Sequence, residues 1–100
     1  MAEYQVTCIN KLNQLSPHEH ITHIGNFEDK WRLTIEGAIY QIENRVSQFY
    51  ILDRTTRKRF YLEIVKELRK RPYLKAHTEA KWTDDLLALG ECDENCKIIS

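Results

Sequence analysis

Three closely spaced histidines are the first side chains in this sequence that could do chemistry. They are His18, His20 and His23. On an extended segment His18 and His20 project to one side and His23 to the other. A catalytic zinc ion needs three converging ligands and an open fourth position, and this spacing matches no established zinc-binding pattern. A metal-dependent enzyme that uses the three histidines is therefore the third of three functions that we consider.

Three cysteines are the other side chains that could bind metal, at Cys8, Cys92 and Cys96. Structural zinc usually needs a second pair besides a C-x3-C pair such as Cys92 and Cys96, and Cys8 with a histidine could complete it. We favour instead reduced thiols, with Cys8 and Cys92 buried as small residues and Cys96 exposed and readily alkylated. The serines lack a glycine elbow and the three glycines cannot build a phosphate loop. We therefore expect no enzyme and no cofactor.

Basic residues are concentrated in the middle of the chain. The formal net charge is zero, but residues 54–81 carry ten Lys or Arg against three Asp or Glu. These residues predict either a surface for phosphates or an acidic partner, or a solvated face. The second is favoured, because a dedicated nucleic-acid binder of this size usually has a high pI and this chain has a pI near 6.9. The candidate binding residues are Arg54, Arg57, Lys58, Arg59, Lys66, Arg69, Lys70 and Arg71.

Local patterns predict an α+β fold that would position these residues. We expect one domain over residues 1–92, in which an antiparallel sheet of about four strands carries one main helix on a face. The helix is predicted over 34–44, capped by Thr34, and it should bury Ile35, Ala38, Ile39 and Ile42. Strands are predicted near 4–10, 20–26, 46–52 and 73–77. Residues 59–66 are predicted to form a strand paired with 46–52, although 60–71 also fit a helix, and residues 93–100 are expected to form a flexible tail.

A family resemblance supports this architecture. The matching segments include Val6-Thr7-Cys8-Ile9-Asn10-Lys11, Ile21-Thr22-His23-Ile24-Gly25 and Leu86-Leu87-Ala88-Leu89-Gly90-Glu91-Cys92. With these segments the chain resembles a bacterial family of small proteins, about 100 residues long, classed as a domain of unknown function. It departs from the family pattern at Ala76, where members tend to have Thr, and at Gly90, where they tend to have Pro. The resemblance implies a small α+β domain and brings no activity with it.

Three functions follow from these patterns, in order of preference. The first is a non-catalytic interaction module that binds a protein partner, as a regulator or an inhibitor of the kind that phages and plasmids encode. The alternative is a nucleic-acid-binding module centred on residues 54–75, and the metal-dependent enzyme comes third. No apolar run approaches the roughly 18 residues of a membrane span and no secretory signal is visible, so we expect a cytoplasmic protein without a membrane partner. Whether it self-associates stays open.

Overall fold

The structure is a computed structural model that describes residues 2–12, 20–53, 55–77, 82–83 and 85–99. These residues form ten strands, one α-helix and one short 3-10 helix. The elements in chain order are β1 (Ala2–Gln5), β2 (Cys8–Lys11), β3 (Ile21–Asn26), β4 (Trp31–Thr34), α1 (Ile35–Glu43), β5 (Ser47–Leu52), β6 (Arg59–Val65), β7 (Tyr73–His77), β8 (Trp82–Thr83), a short 3-10 helix (Asp85–Ala88), β9 (Gly90–Glu91) and β10 (Lys97–Ile99).

The strands form two mixed sheets of five strands each, in the orders β1-β5-β6-β7-β8 and β10-β4-β3-β2-β9. The β1–β5, β2–β9 and β10–β4 pairs are parallel and the other described pairs are antiparallel. The expected single antiparallel sheet of about four strands is therefore wrong, although a small α+β architecture is confirmed. Periodicity shows that a segment is extended, but it does not show which segment pairs with it.

The N-terminal segment joins the two sheets. We predicted one strand over 4–10, and the structure divides this stretch at Val6 and Thr7 between β1 and β2. The Val6 amide donates to the Tyr50 carbonyl of β5 at 2.7 Å, whereas the next amide, of Thr7, donates to the Gly25 carbonyl of β3 at 2.9 Å. One extended segment therefore serves as an edge of the first sheet and an inner strand of the second.

The helix α1 begins and ends close to its predicted bounds. Thr34 caps its N-terminus by accepting a hydrogen bond from the Gly37 amide at 3.1 Å, and Asn44 caps its C-terminus. Ile35 and Ala38 are buried as predicted, but Ile39 and Ile42 are only partly buried against the core. The expectation of four fully buried residues is wrong, and Ile39 is only partly buried because it lines a cleft beside α1 that is described below.

Residues 59–65 form a strand, which answers the strand-or-helix question for most of 60–71. β6 lies between β5 and β7, with Tyr61 opposite both Tyr50 and His77. Leu68, which a helix would need on its apolar stripe, is 89% exposed in the connection after the strand. A strand buries Leu62 against the core and leaves Leu68 free to face solvent, so the sheet pairing overrides the helical spacing.

The C-terminal segment that we expected to be a flexible tail contains a strand. Lys97–Ile99 pair with Trp31–Leu33 of β4, and the Lys97 amide donates to the Lys30 carbonyl at 3.0 Å. Ile98 and Ile99 are both more than 40% exposed, so this strand makes its backbone bonds without burying much apolar surface. The sequence did not predict β10 because the strand buries little apolar surface.

Two separate buried clusters stabilise the fold. The larger cluster packs residues of both sheets, α1 and the 3-10 helix together, with Ile9, Phe49 and Leu74 among its most buried members. The smaller one, hereafter the cysteine cluster, consists of Cys8, Cys92 and Cys96. Neighbouring side chains on a strand point to opposite faces, so Ile9 enters the larger cluster and Cys8 lies on the other face of the second sheet.

Candidate functional site

The candidate basic residues lie at two ends of β6 rather than on one surface. Arg57 and Lys58 precede the strand, whereas Lys66, Arg69, Lys70 and Arg71 follow it. A seven-residue strand is about 20 Å long, so the two groups are separated by that distance. All of these side chains are exposed, and Arg54 lies outside the described residues.

Three of these cations form ion pairs with carboxylates of the described residues. Arg59 contacts Glu3 at 2.9 Å, Lys66 contacts Glu43 at 3.2 Å and Lys70 contacts Glu67 at 3.1 Å. Two of the acidic partners, Glu3 and Glu43, come from distant parts of the chain, so the sequence could not identify them. A cation paired in this way has less charge to offer a phosphate.

Tyrosines and charged groups share the outer face of the first sheet. The Arg59 guanidinium lies 4.4 Å from the ring centroid of Tyr50, and the rings of Tyr50 and Tyr61 are 5.9 Å apart. The Tyr61 hydroxyl donates to the Glu3 carboxylate at 2.7 Å. This hydrogen bond, followed by the bond and charge of Arg59, lowers the pKa of the Glu3 carboxyl below its usual value of 4.5. The candidate basic residue Arg59 therefore belongs to an internal network with an acid, Glu3, at its centre.

The histidine cluster cannot be assembled from the described residues. His18 lies outside them, His20 is exposed and His23 is half-buried. The ring of His23 shares a hydrogen bond with the Thr22 hydroxyl, Nδ1 to Oγ1, at 2.9 Å. Burial, and then the positive charge of Arg32, lowers the pKa of His23. Among the described residues, neither histidine belongs to a group of three metal-type ligands.

A cleft of about 1000 Å³ brings several predicted residues together beside α1. Its apolar lining includes Ile21 of β3 and Ile35, Ile39 and Tyr40 of α1. Its polar lining includes His20, His23, Glu36, Lys70 and Arg71. We call it the α1 cleft. The sequence placed the histidines and the basic segment in separate hypotheses, and only the fold makes them neighbours.

Tyr40 is the residue of this cleft that sequence analysis missed. It is 64% exposed, and it lines the cleft together with the partly buried Ile39. The only available signal was that Tyr40 falls outside the predicted apolar stripe of the helix. An exposed aromatic ring beside an apolar cleft is a feature of binding surfaces.

The cysteines differ most from expectation. Cys8 and Cys92 form a disulfide with a Cα–Cα distance of 4.9 Å, across 84 residues of sequence. Cys96 is a free thiol that is 1% exposed. The predictions of three reduced thiols and an accessible Cys96 are wrong, because the pairing of β2 with β9 brings Cys92 beside Cys8 and the next turn folds Cys96 inward.

The fold and these clusters define a small α+β domain. Residues 5–90 match the model of a family described as proteins of unknown function, DUF3892, and the chain belongs to that family. The match confirms the resemblance to a family without known function, and Glu91 and Cys92 lie beyond it. Neither the curated proteins nor the solved structures include a match. Within the described part of the chain, no helix has the length and apolar character that a bilayer crossing requires.

Proposed function

We propose that this protein is a non-catalytic module that binds a segment of a partner protein in the α1 cleft, as a regulator or an inhibitor does. The observation that carries the proposal is that apolar side chains share one cleft with two cations, Lys70 and Arg71, and two acids, Glu36 and Glu43. Ile35 and Ile39 offer an apolar contact, and Lys70 and Arg71 lie on the same cleft. Ligand-binding clefts are mostly apolar, with a few polar groups that fix orientation.

The chemistry of the cleft favours a peptide with one large apolar side chain next to an Asp or Glu. The apolar side chain would pack against Ile39 and Tyr40, whose incomplete burial leaves apolar surface to cover. The carboxylate would pair with Arg71, whose exposed guanidinium can donate two parallel hydrogen bonds to it. Apolar anchors give most of the affinity in such contacts, and charges at the rim give specificity.

Selection of peptides on the purified protein tests the proposal. A displayed library of random peptides should yield sequences with an aliphatic or aromatic residue beside an acid. Arg71→Glu should raise the Kd of such a peptide about tenfold or more, because the rim charge is reversed. Arg57→Glu is the matched control, since it reverses an equally exposed arginine at the other end of β6, and it should leave the Kd unchanged.

Two results would contradict the proposal. One is a selection that converges on no motif, and the other is a motif whose binding survives both Arg71→Glu and Tyr40→Ala. Wild type, Arg71→Glu and Arg57→Glu can also be used to capture partner proteins from the native cell. There, the relevant protein is one that wild type and Arg57→Glu retain and that Arg71→Glu loses.

Nucleic-acid binding through residues 54–75 ranks second. Its support is the excess of basic residues in that segment, and its weakness is the separation of those residues and the pairing of three of them with acids. We expect Arg57→Glu with Arg59→Glu to change the urea midpoint of unfolding little, since exposed ion pairs contribute little. Micromolar or tighter RNA binding at physiological salt, with a steep salt dependence and lost in this double variant, would place nucleic acid first.

A further inference from the structure

The cysteine cluster brings three sulfur atoms together in a buried place. The Sγ atoms of Cys8, Cys92 and Cys96 all lie within 4.8 Å of one another, and no residue of the cluster is more than 6% exposed. Among the described residues, this is the one group in which three metal-type ligands converge. No residue of the α1 cleft belongs to it.

The backbone around the cluster is arranged to hold these sulfurs. The turn between Cys92 and Cys96 is closed by a hydrogen bond from the Cys96 amide to the Asp93 carbonyl at 3.1 Å. Asn10 donates to the Cys92 carbonyl at 3.0 Å, which holds the start of the turn against β2. Gly25 leaves room for the Cys92 side chain, because a Cβ at this position would lie 2.8 Å from the Cys92 sulfur.

The cationic side chain of Arg32 lies next to the cysteine cluster. Arg32 donates from Nε to the Cys96 carbonyl at 2.8 Å and from Nη1 to the Asn10 side chain at 3.2 Å. Charged thiolates are costly to bury without compensation. The guanidinium therefore supplies part of the positive charge that three buried thiolates would need.

We propose that the reduced cysteine cluster binds one thiophilic divalent cation of the zinc type through the three thiolates. Zinc–sulfur bonds are about 2.3 Å long, which places tetrahedral sulfur ligands about 3.8 Å apart. The Cys96 sulfur lies within 4.8 Å of the other two, so it needs to approach each of them by at most about 1 Å, whereas the bonded pair Cys8 and Cys92 has to move apart. Three thiolates, a divalent ion and Arg32 together carry no net charge.

The oxidised and metal-bound states exclude each other. A cellular thiol reductant supplies two electrons and two protons to the Cys8–Cys92 bond and is itself oxidised to a disulfide. The three thiols then release their protons as they bind the ion. No fourth ligand joins the group among the described residues, so the fourth position is left to solvent or a small thiol.

Titration with Cd²⁺, a probe whose bonds to thiolates absorb in the ultraviolet, tests the site. Anaerobically reduced wild type should bind one Cd²⁺ per chain, and Zn²⁺ should displace it. Loss of a direct ligand in Cys96→Ser should weaken binding by more than the roughly 10- to 100-fold that an outer-shell change costs, and the absorption per ion should fall by about a third. Oxidised wild type should bind none, because two of its ligands are bonded to each other.

Two controls keep the test decisive. Cys96→Ser retains the Cys8–Cys92 bond, so circular dichroism of its oxidised form shows whether the fold is intact. Bound Zn²⁺ should also slow alkylation of all three thiols in the reduced wild type. Three results would each overturn the proposal. The reduced protein could fail to bind Cd²⁺ tightly, the oxidised protein could bind Cd²⁺ equally well, or a folded Cys96→Ser could bind Cd²⁺ as tightly as wild type.

Discussion

Gly25 is a residue at which β3 approaches its neighbours closely. A Cβ at this position would meet the Trp31 carbonyl oxygen at 2.5 Å and the Cys92 sulfur at 2.8 Å, and the first of these is backbone that cannot move aside. We therefore expect Gly25→Ala to lower the free energy of unfolding by about 1–3 kcal/mol, as overpacking usually does. Gly90→Ala is the matched control, because a Cβ there meets nothing within 4 Å. Equal urea midpoints for the two variants would contradict the close approach.

Glu3 gives the fold a pH dependence that can be measured. Its folded pKa is lowered, chiefly by the Tyr61 hydroxyl and then by Arg59, so it stabilises the fold above its unfolded pKa near 4.5. That contribution is lost as the pH falls through the lower folded pKa. Glu3→Gln should therefore be slightly less stable than wild type at pH 7, because the network is exposed to solvent, and the difference should fade as the pH falls below 4.5. Parallel stability profiles for wild type, Glu3→Gln and Tyr61→Phe would show that the network has no such effect.

At the scale of the element, α1 depends on its N-terminal cap. The Thr34 hydroxyl accepts the Gly37 amide, which is one of the four amides that a helix leaves without an intrahelical partner. Thr34→Ala should cost about 1 kcal/mol of unfolding free energy. Thr34→Ser keeps the hydroxyl and should restore most of it in the same thermal melts. A Ser variant as unstable as the Ala variant would mean that the Thr34 methyl group, and not the hydrogen bond, is responsible.

The helix and the strand pairings show which elements a single sequence can predict. Thr34, the apolar spacing after it and Asn44 lie within eleven residues, so the pattern that specifies α1 is local. The positions of β5 and β7 were predicted for the same reason. β9 and β10 were missed because each is only two or three residues long and is defined by partners more than 60 residues away. The candidate site was missed in the same way, since Arg71 and His23 become neighbours only through the fold.

At the scale of the whole molecule, the Cys8–Cys92 bond closes nearly the entire chain into a loop. Because it spans 84 residues, the chain-entropy model assigns it about 4.6 kcal/mol of stabilisation, by restricting the unfolded chain. We expect reductant to lower the free energy of unfolding in urea by about that amount when metal ions are chelated. Cys96→Ser should show the same loss, because it keeps the bond. A reduced protein as stable as the oxidised one would contradict this account.

The parallel pairing of β2 with β9 also has a consequence for the order in which the protein is made. Cys8 lies opposite Gly90, so a ribosome must add 82 further residues after Cys8 before that partner exists. At about 5–20 residues per second, this takes about 4–16 seconds. During that time β2 can pair with β3 on one side, while its other edge has unsatisfied amide and carbonyl groups. An open strand edge is a template for pairing with another chain, so the nascent protein is exposed to aggregation through this edge until β9 has been synthesised.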